Sequence, residues 1–163
     1  MKLGLISAIL LFLLVTAISL LLPSTINISR AININAPSDS VYIYLNNLAK
    51  WKEWFAGYDS LHTTFGNTTV GKGAMVTINK TTITITETNS QTIKSHWVSG
   101  SKVLESEFNF FRQNNSSLIT VQWHFIQHTR WYPWEKFASI VSDKFMSPAM
   151  EKSLDNLKKV VEE

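Results

Sequence analysis

The sequence predicts an α+β domain whose helices pack on one face of a curved antiparallel sheet, behind one N-terminal membrane-spanning helix. Three observations indicate this arrangement. An uncharged apolar run occupies residues 3–22, β-type segments dominate from residue 74 onward, and an amphipathic helical pattern closes the chain. A first strand, short helices, a run of strands and a long closing helix are typical of α+β domains with segregated helices.

The N-terminal run of residues 3–22 is rich in leucine and isoleucine. Twenty helical residues span about 30 Å, the thickness of the hydrocarbon core of a membrane. A cleaved signal segment, the alternative, has a shorter apolar region and a small-residue cleavage site, which this sequence lacks. We therefore expect an uncleaved anchor over residues 1–24. Because Lys2 precedes the run and the next positive residue is Arg30, the positive-inside tendency places the domain on the non-cytoplasmic side of a single-pass membrane protein.

The composition of residues 25–163 indicates one domain with a large apolar interior. These residues are numerous enough to form a hydrophobic core that needs no disulfide or metal to hold it together. The chain has no cysteine, which excludes disulfides, thiolate metal sites and a cysteine nucleophile. Its formal net charge is +3, and the positive side chains are scattered, so we expect no nucleic-acid partner. All six tryptophans lie in this domain, which favours a large apolar core or an apolar cavity.

The elements of the domain follow from local patterns. Alternation of apolar and polar residues over 26–34 predicts a half-buried strand. Pro37 and its polar neighbours predict the start of a helix, and Trp51 and Trp54 extend the apolar spacing into a second short helical piece. Further β-type segments, separated by turn residues at 89–90, 99–101 and 113–115, predict an antiparallel meander over 74–78, 82–86, 92–98, 103–111 and 118–127.

The last thirty residues predict helix. Helical spacing is shown by Phe137, Ile140, Val141 and Phe145. Pro148 is expected to interrupt or restart the helix. Beyond Pro148, apolar residues at i, i+4, i+7 and i+11 predict an amphipathic C-terminal helix with one apolar stripe, formed by Met150, Leu154, Leu157 and Val161.

Five short motifs occur in a characteristic order along the domain: Ile34-Asn35-Ala36-Pro37, Leu48-x-x-Trp51-x-x-Trp54, Gly71-x-Gly73-Ala74, Ile83-Thr84-Ile85-Thr86-Glu87 and Met146-Ser147-Pro148. Over residues 25–162 they resemble the SRPBCC superfamily, with its START-like or helix-grip fold, and within it the polyketide cyclase/dehydrase branch. The resemblance implies a curved antiparallel sheet wrapped around a long C-terminal helix, with a cavity for a hydrophobic ligand between them. Because this fold hosts lipid carriers, cyclases and hydrolases, it does not select a chemistry.

Strand alternation indicates which side chains would line such a cavity. On 103–111 and 118–125, one face of each predicted strand is rich in aromatic residues and the other is polar. With the equivalent positions of neighbouring strands, the cavity-lining candidates are Val76, Ile78, Trp97, Leu104, Ser106, Phe108, Phe110, Val121, Trp123 and Phe125. The alternative is that these side chains fill a solid core.

The polar residues give no catalytic constellation. The four histidines, His62, His96, His124 and His128, form no metal motif, so we expect no metal and no cofactor. Glu105 shares a strand face with Glu107, opposite the aromatic row, where water is the expected environment.

Three functions therefore remain as hypotheses. The first is a membrane-anchored protein that binds a hydrophobic small molecule or lipid, with residues 3–22 in the membrane. The second is an enzyme of the cyclase or hydrolase kind, assisted by inward polar groups such as Ser95 or Ser106. The third is an interaction domain without a ligand, which the anchor holds beside a membrane partner.

Overall fold

The computed structural model describes residues 2–112, 118–129 and 132–163, so the predicted turn at 113–115 lies outside the described residues. These described residues form three α-helices, seven strands and two short 3₁₀ helices, Leu48–Glu53 and Ser60–His62. In chain order the helices and strands are α1 (Lys2–Leu21), β1 (Thr25–Asn35), α2 (Ser38–Asn46), β2 (Thr63–Phe65), β3 (Met75–Ile78), β4 (Thr81–Thr88), β5 (Thr92–Ser99), β6 (Lys102–Arg112), β7 (Leu118–His128) and α3 (Pro133–Glu162).

The seven strands form one curved antiparallel sheet in the order β1-β7-β6-β5-β4-β3-β2. β1 pairs with β7 along its whole length, from Thr25 opposite His128 to Asn35 opposite Leu118. β6 pairs with β7 only from Glu105 onward, although β6 begins three residues earlier. The start of β6 and the end of β7 therefore diverge, and the sheet is open at that end.

The predicted alternation of buried and exposed residues along the strands is confirmed. In β6 the buried positions are Ser106, Phe108 and Phe110, and in β7 the even-spaced set from Ile119 to Phe125 is buried. α3 packs across this face through the stripe predicted after Pro148, with Met150, Leu154 and Leu157 buried. The sheet and the long C-terminal helix together form the predicted α+β helix-grip fold, which places the space between them at the centre of the domain.

α3 is one continuous helix of 30 residues and runs through Pro148. The prediction that Pro148 interrupts or restarts the helix is therefore wrong. Proline cannot donate a backbone hydrogen bond to the carbonyl four residues earlier, here that of Lys144. Both Lys144 and Pro148 lie on the exposed side of α3, where water reaches the helix, so this missing bond is not sealed inside the core.

α1 is long and apolar enough, by length and composition, to cross a membrane. Its segment Gly4–Leu21 has a mean hydropathy of 2.7, and only 6% of that segment is buried. Ser19 is the one position of α1, among the side chains described, that is fully buried. The end of α1 is in contact with α3, which connects the apolar segment to the globular domain.

Candidate ligand-binding site

An aromatic cluster occupies the centre of the space between the sheet and α3. Its closest pair is Phe108 and Trp123, whose rings stack with centroids 4.8 Å apart. Trp97 meets Phe125 edge-on at 5.0 Å. Seven rings are linked by such contacts: Trp51, Trp54, Phe55, Trp97, Phe108, Trp123 and Phe125. A cluster of this size presents a rigid aromatic surface, because each ring is held by several neighbours.

The indole N–H groups of this cluster are all satisfied within the protein. Trp51 Nε1 donates to the carbonyl of Leu45 at 3.0 Å, and Trp54 Nε1 donates to the carbonyl of Tyr44 at 3.3 Å. The two tryptophans on strands, Trp97 and Trp123, donate to serine hydroxyl groups instead. Each ring is thereby oriented, and the surfaces that face the remaining space are apolar.

Ser95 and Ser106 are the hydroxyl acceptors for the two strand tryptophans. They lie directly opposite each other on β5 and β6, and each is 2% exposed. Ser95 Oγ accepts from Trp97 Nε1 at 3.0 Å, and Ser106 Oγ accepts from Trp123 Nε1 at 2.8 Å. Each hydroxyl thus orients an indole ring, a structural role that the sequence did not indicate.

An apolar cavity of about 120 Å³, called the inner cavity here, lies between this cluster and the middle of α3. It is lined by Phe55, Trp97, Trp123, Phe125, Met146, Ala149 and Met150. This space is open to solvent on the side of α3, where Ala149 of its lining is exposed. The inner cavity therefore suits a small apolar group, such as a ring or the end of an alkyl chain.

A larger cleft of about 350 Å³, called the end cleft here, opens where β6 and β7 diverge. Glu135 and Ala138 of α3 lie along one side of it. The remaining lining residues come from the β5–β6 turn and the two diverging strand ends: Ser101, Lys102, Val103, Leu104, Glu105, Gln127, His128 and Thr129. Its volume is in the range of small-molecule sites, and its lining combines apolar and charged groups.

Two of the four ionisable residues that line the end cleft, Glu105 and His128, form a loose pair. His128 Nε2 lies 4.0 Å from Glu105 Oε1, and His128 Nδ1 lies 3.3 Å from Thr25 Oγ1 on β1. Both side chains are more than half exposed, so water screens their interaction. Among the described residues, no group of three or more His, Asp or Glu side chains could hold a metal ion.

Resolved pKa shifts belong to surface groups outside the end cleft. A hydrogen bond with the ring of His62, with a second one from the backbone N–H of Leu61, lowers the pKa of Asp59. A hydrogen bond to Glu87 raises the pKa of Lys94. Neither group lines the end cleft or the inner cavity, so both shifts reflect local surface bonding.

Arg30 connects α3 to β1, the edge strand next to β7. This residue shares the inward face of β1 with Ile28 and is 29% exposed. Arg30 Nε donates to Glu151 Oε1 at 2.7 Å, and its Nη2 donates to Asp143 Oδ1 at 3.3 Å and to the hydroxyl of Ser147. The acceptors occur every fourth residue, along one face of α3. These bonds hold α3 against β1, while the inner cavity is lined by β5 and β7 and the end cleft by β6 and β7.

The ten cavity-lining candidates separate into three groups in the structure. Trp97, Trp123 and Phe125 line the inner cavity, and Leu104 lines the end cleft. The hydroxyl oxygen of Ser106 accepts the hydrogen bond from Trp123 and lines neither space. The others are packed in the buried core and line neither space: Val76, Ile78, Phe108, Phe110 and Val121.

Other lining residues were not selected from the sequence. Met146 lies one turn before Met150 and continues the predicted α3 stripe across Pro148, so helical spacing could have indicated it had the helix been predicted as continuous. Ala149 is exposed and lies beside that stripe, so the spacing does not indicate it. Phe55 follows the first 3₁₀ helix, where no regular spacing predicts its direction.

Comparison with known proteins agrees with this geometry. Residues 25–162 match the model of the family described as "Polyketide cyclase / dehydrase and lipid transport", so the chain belongs to that family. Comparison with curated proteins finds no match.

Solved structures of the same fold show how widely it is shared. A protein from Nitrosospira multiformis is 13% identical with a TM-score of 0.65, covering 83% of this chain and 96% of that chain. A protein from Helicobacter pylori is 10% identical with a TM-score of 0.64, covering 83% and 88%. Norcoclaurine synthase from Thalictrum flavum, solved in complex with dopamine and hydroxybenzaldehyde, is 12% identical with a TM-score of 0.66, covering 84% and 86%. At these identities the likeness establishes the fold alone.

Proposed function

We propose that the chain is a membrane-anchored protein that binds a hydrophobic small molecule or lipid between the sheet and α3. The observation that carries this proposal is the pair of spaces under α3. The inner cavity offers an apolar, ring-sized site among fixed aromatic rings, and the end cleft offers a larger site with polar groups. A ligand with an apolar part and a polar end matches these two environments.

Family and fold support a ligand in this position. The family description includes lipid transport as well as cyclase and dehydrase activity. Norcoclaurine synthase, which shares the fold, was solved with two ring-containing small molecules bound. By analogy at the level of the fold, the helix-grip space of this chain would hold a ligand of modest size.

In this proposal α1 is the membrane anchor. It would span the bilayer once, with Lys2 on the cytoplasmic side and the domain on the other side. The end cleft lies at the end of the sheet where α1 joins. Thr129, which lines the cleft, donates its backbone N–H to the carbonyl of Ser24 at 2.8 Å, and Ser24 is three residues beyond α1. A ligand leaving the bilayer would therefore meet the end cleft first.

The test is whether a ligand accompanies the protein and depends on the inner cavity. Native mass spectrometry of the full chain, extracted from membranes, should detect a bound hydrophobic species. Ala149→Phe should reduce it, because Ala149 lies on the exposed side of this lining, where a benzyl group can cover a space of about 120 Å³. The matched control is Ala31→Phe, the same change on the exposed face of β1, which should retain the ligand. Wild-type protein without any bound species, or equal ligand in both variants, would contradict the proposal.

A second candidate is a cyclase-type enzyme acting at the end cleft. The observation in its favour is the pair formed by Glu105 and His128, since a carboxylate beside an imidazole is a common acid–base combination. Ser95 and Ser106 are weaker candidates because indole N–H groups already occupy both hydroxyl oxygens. Turnover of an aromatic polyketide substrate that is lost in Glu105→Gln and kept in Ser95→Ala would support this candidate, whereas turnover unchanged in Glu105→Gln would exclude this pair.

A further inference from the structure

The first half of α3 presents a row of large apolar side chains that the domain does not cover. Trp134 is 62% exposed and Phe145 is 78% exposed, with Phe137 and Val141 exposed between them. At 100° per residue, the four side chains lie within an arc of about 80° on the helix surface, and they extend over about 16 Å. We call these four residues the apolar row.

The same side of α3 changes character after Pro148. Continuing the row at helical spacing leads to Lys152, Asp155 and Lys159, and all three are exposed. A helix face that contacts only water is expected to look like this second half. The first half of this face is apolar and the second half is charged. This difference indicates that the first half contacts something other than water.

The apolar row lies in the half of α3 that is attached to the end of α1. Lys136 is 3% exposed, and its Nζ donates to the carbonyl of Leu22 at 2.9 Å and to Ser24 Oγ at 2.7 Å. α1 and α3 are in contact near this point. A membrane that contains α1 would end close to Leu22, and the apolar row would begin at that surface.

The aromatic residues at the start of α3 match the chemistry of a bilayer surface. Tyr132 stacks on Trp134 with ring centroids 4.8 Å apart. Tryptophan and tyrosine are enriched where hydrocarbon meets headgroups, because their rings are apolar and their N–H or O–H groups remain hydrated. Lys144, exposed beside the row, could extend its ammonium group toward lipid phosphates.

We propose that residues 134–145 of α3 lie in the surface of the lipid bilayer that α1 crosses, with the apolar row inserted among the lipids. This inference rests on the proposed membrane anchoring and adds a second contact to it. Ala138 lies within the same segment and lines the end cleft, so the segment would bring that cleft against the lipid surface. An amphipathic helix bound in this way lies in the plane of the interface and does not span it.

Site-directed spin labelling tests this arrangement, because a chain without cysteine can carry one introduced thiol at a time. The full chain is reconstituted in vesicles of phosphatidylcholine and phosphatidylglycerol. Val141→Cys and Phe145→Cys report on the apolar row, and Lys152→Cys and Lys159→Cys are matched controls on the same helix side. Leu11→Cys, in the middle of α1, reports independently on the anchor.

Collision rates with oxygen and with a water-soluble nickel chelate distinguish lipid from water. We expect labels at 141 and 145 to collide mainly with oxygen, at a shallower depth than the label at 11, and labels at 152 and 159 to collide mainly with the chelate. If the label at 11 is in lipid while those at 141 and 145 are in water, the inference is wrong and the anchor stands. Labels at 141 and 145 shielded from both reagents would also contradict it, since they would indicate a protein partner or a second copy. A label at 11 in water would refute the anchor and the inference together.

Discussion

The buried bond between Ser106 and Trp123 makes a sharp test of how the aromatic cluster is built. Replacing Ser106 by alanine removes the acceptor of the Trp123 indole N–H, 2.8 Å away, and changes little else in volume. Trp123 is 1% exposed and Ser106 is 2% exposed, so water cannot easily replace the lost partner. The indole N–H would remain buried without an acceptor.

The expected loss in the free energy of unfolding depends on whether the indole N–H only loses its hydrogen bond or also stays buried without any acceptor. A typical buried hydrogen bond contributes about 1 kcal/mol net, but leaving its donor buried and unpaired costs about 1–3 kcal/mol. Ser95→Ala is the matched comparison, because Ser95 lies opposite Ser106 and also accepts from an indole. Trp97 is half-buried whereas Trp123 is 1% exposed, so the Trp97 indole can adjust toward water more readily, and we expect about 1 kcal/mol or less.

Urea denaturation of the full chain in detergent micelles measures both changes, with circular dichroism of the sheet as the signal. The free energy of unfolding should decrease more for Ser106→Ala than for Ser95→Ala. Adding Trp123→Phe to Ser106→Ala removes the unpaired N–H. The free energy of unfolding of the double variant should therefore decrease by less than the sum of the decreases in the two single variants. Equal losses for the two serine variants, or additive losses in the double variant, would refute this account of the cluster.

Three further predictions concern the attachment of α3 and the surface. Arg30→Met should lower the free energy of unfolding by about 1 kcal/mol through loss of the bonds to Glu151 and its neighbours, and urea curves at ~1 M salt should show a smaller difference. Lys136→Met should make the segment between α1 and β1 more sensitive to limited proteolysis, because the hydrogen bonds from Lys136 to Leu22 and Ser24 are lost. An unchanged rate of cleavage in this segment would contradict the prediction. His62→Ala should raise the pKa of Asp59 toward its ordinary value in an NMR titration; because that pKa is lowered in the folded protein, the interaction stabilises above the ordinary pKa and is lost as pH falls.

The fold could be predicted from the sequence because its strands show a clear period of two. Along β6 and β7 a shift of one residue would move every aromatic side chain to the water face, so the pattern fixes which face is buried. β2 was not predicted, since its three residues are too few to show a period. Pro148 was misjudged because its effect depends on which side of the helix it occupies.

The site could be predicted only in part, because a cavity is what packing leaves unfilled. Phe108 and Trp123 have the same inward direction, yet Phe108 stacks on Trp123 within the solid core while Trp123 also borders the inner cavity. Alternation along a strand cannot distinguish these two cases. The end cleft depends on where β6 and β7 separate, and strand patterns in the sequence do not specify the length over which two strands pair.

The most direct test of ligand binding under α3 is photocrosslinking with a diazirine-bearing fatty acid. The full chain is reconstituted in phosphatidylcholine vesicles that contain this probe, irradiated, and digested for peptide mapping by mass spectrometry. If the proposal is right, adducts occur on residues that line the inner cavity, such as Phe125, Met146 and Met150, and Ala149→Phe reduces them. Adducts confined to α1 and to the apolar row, with none on the residues that line the inner cavity, would contradict it, because the fatty acid would then contact only the surfaces that face the bilayer.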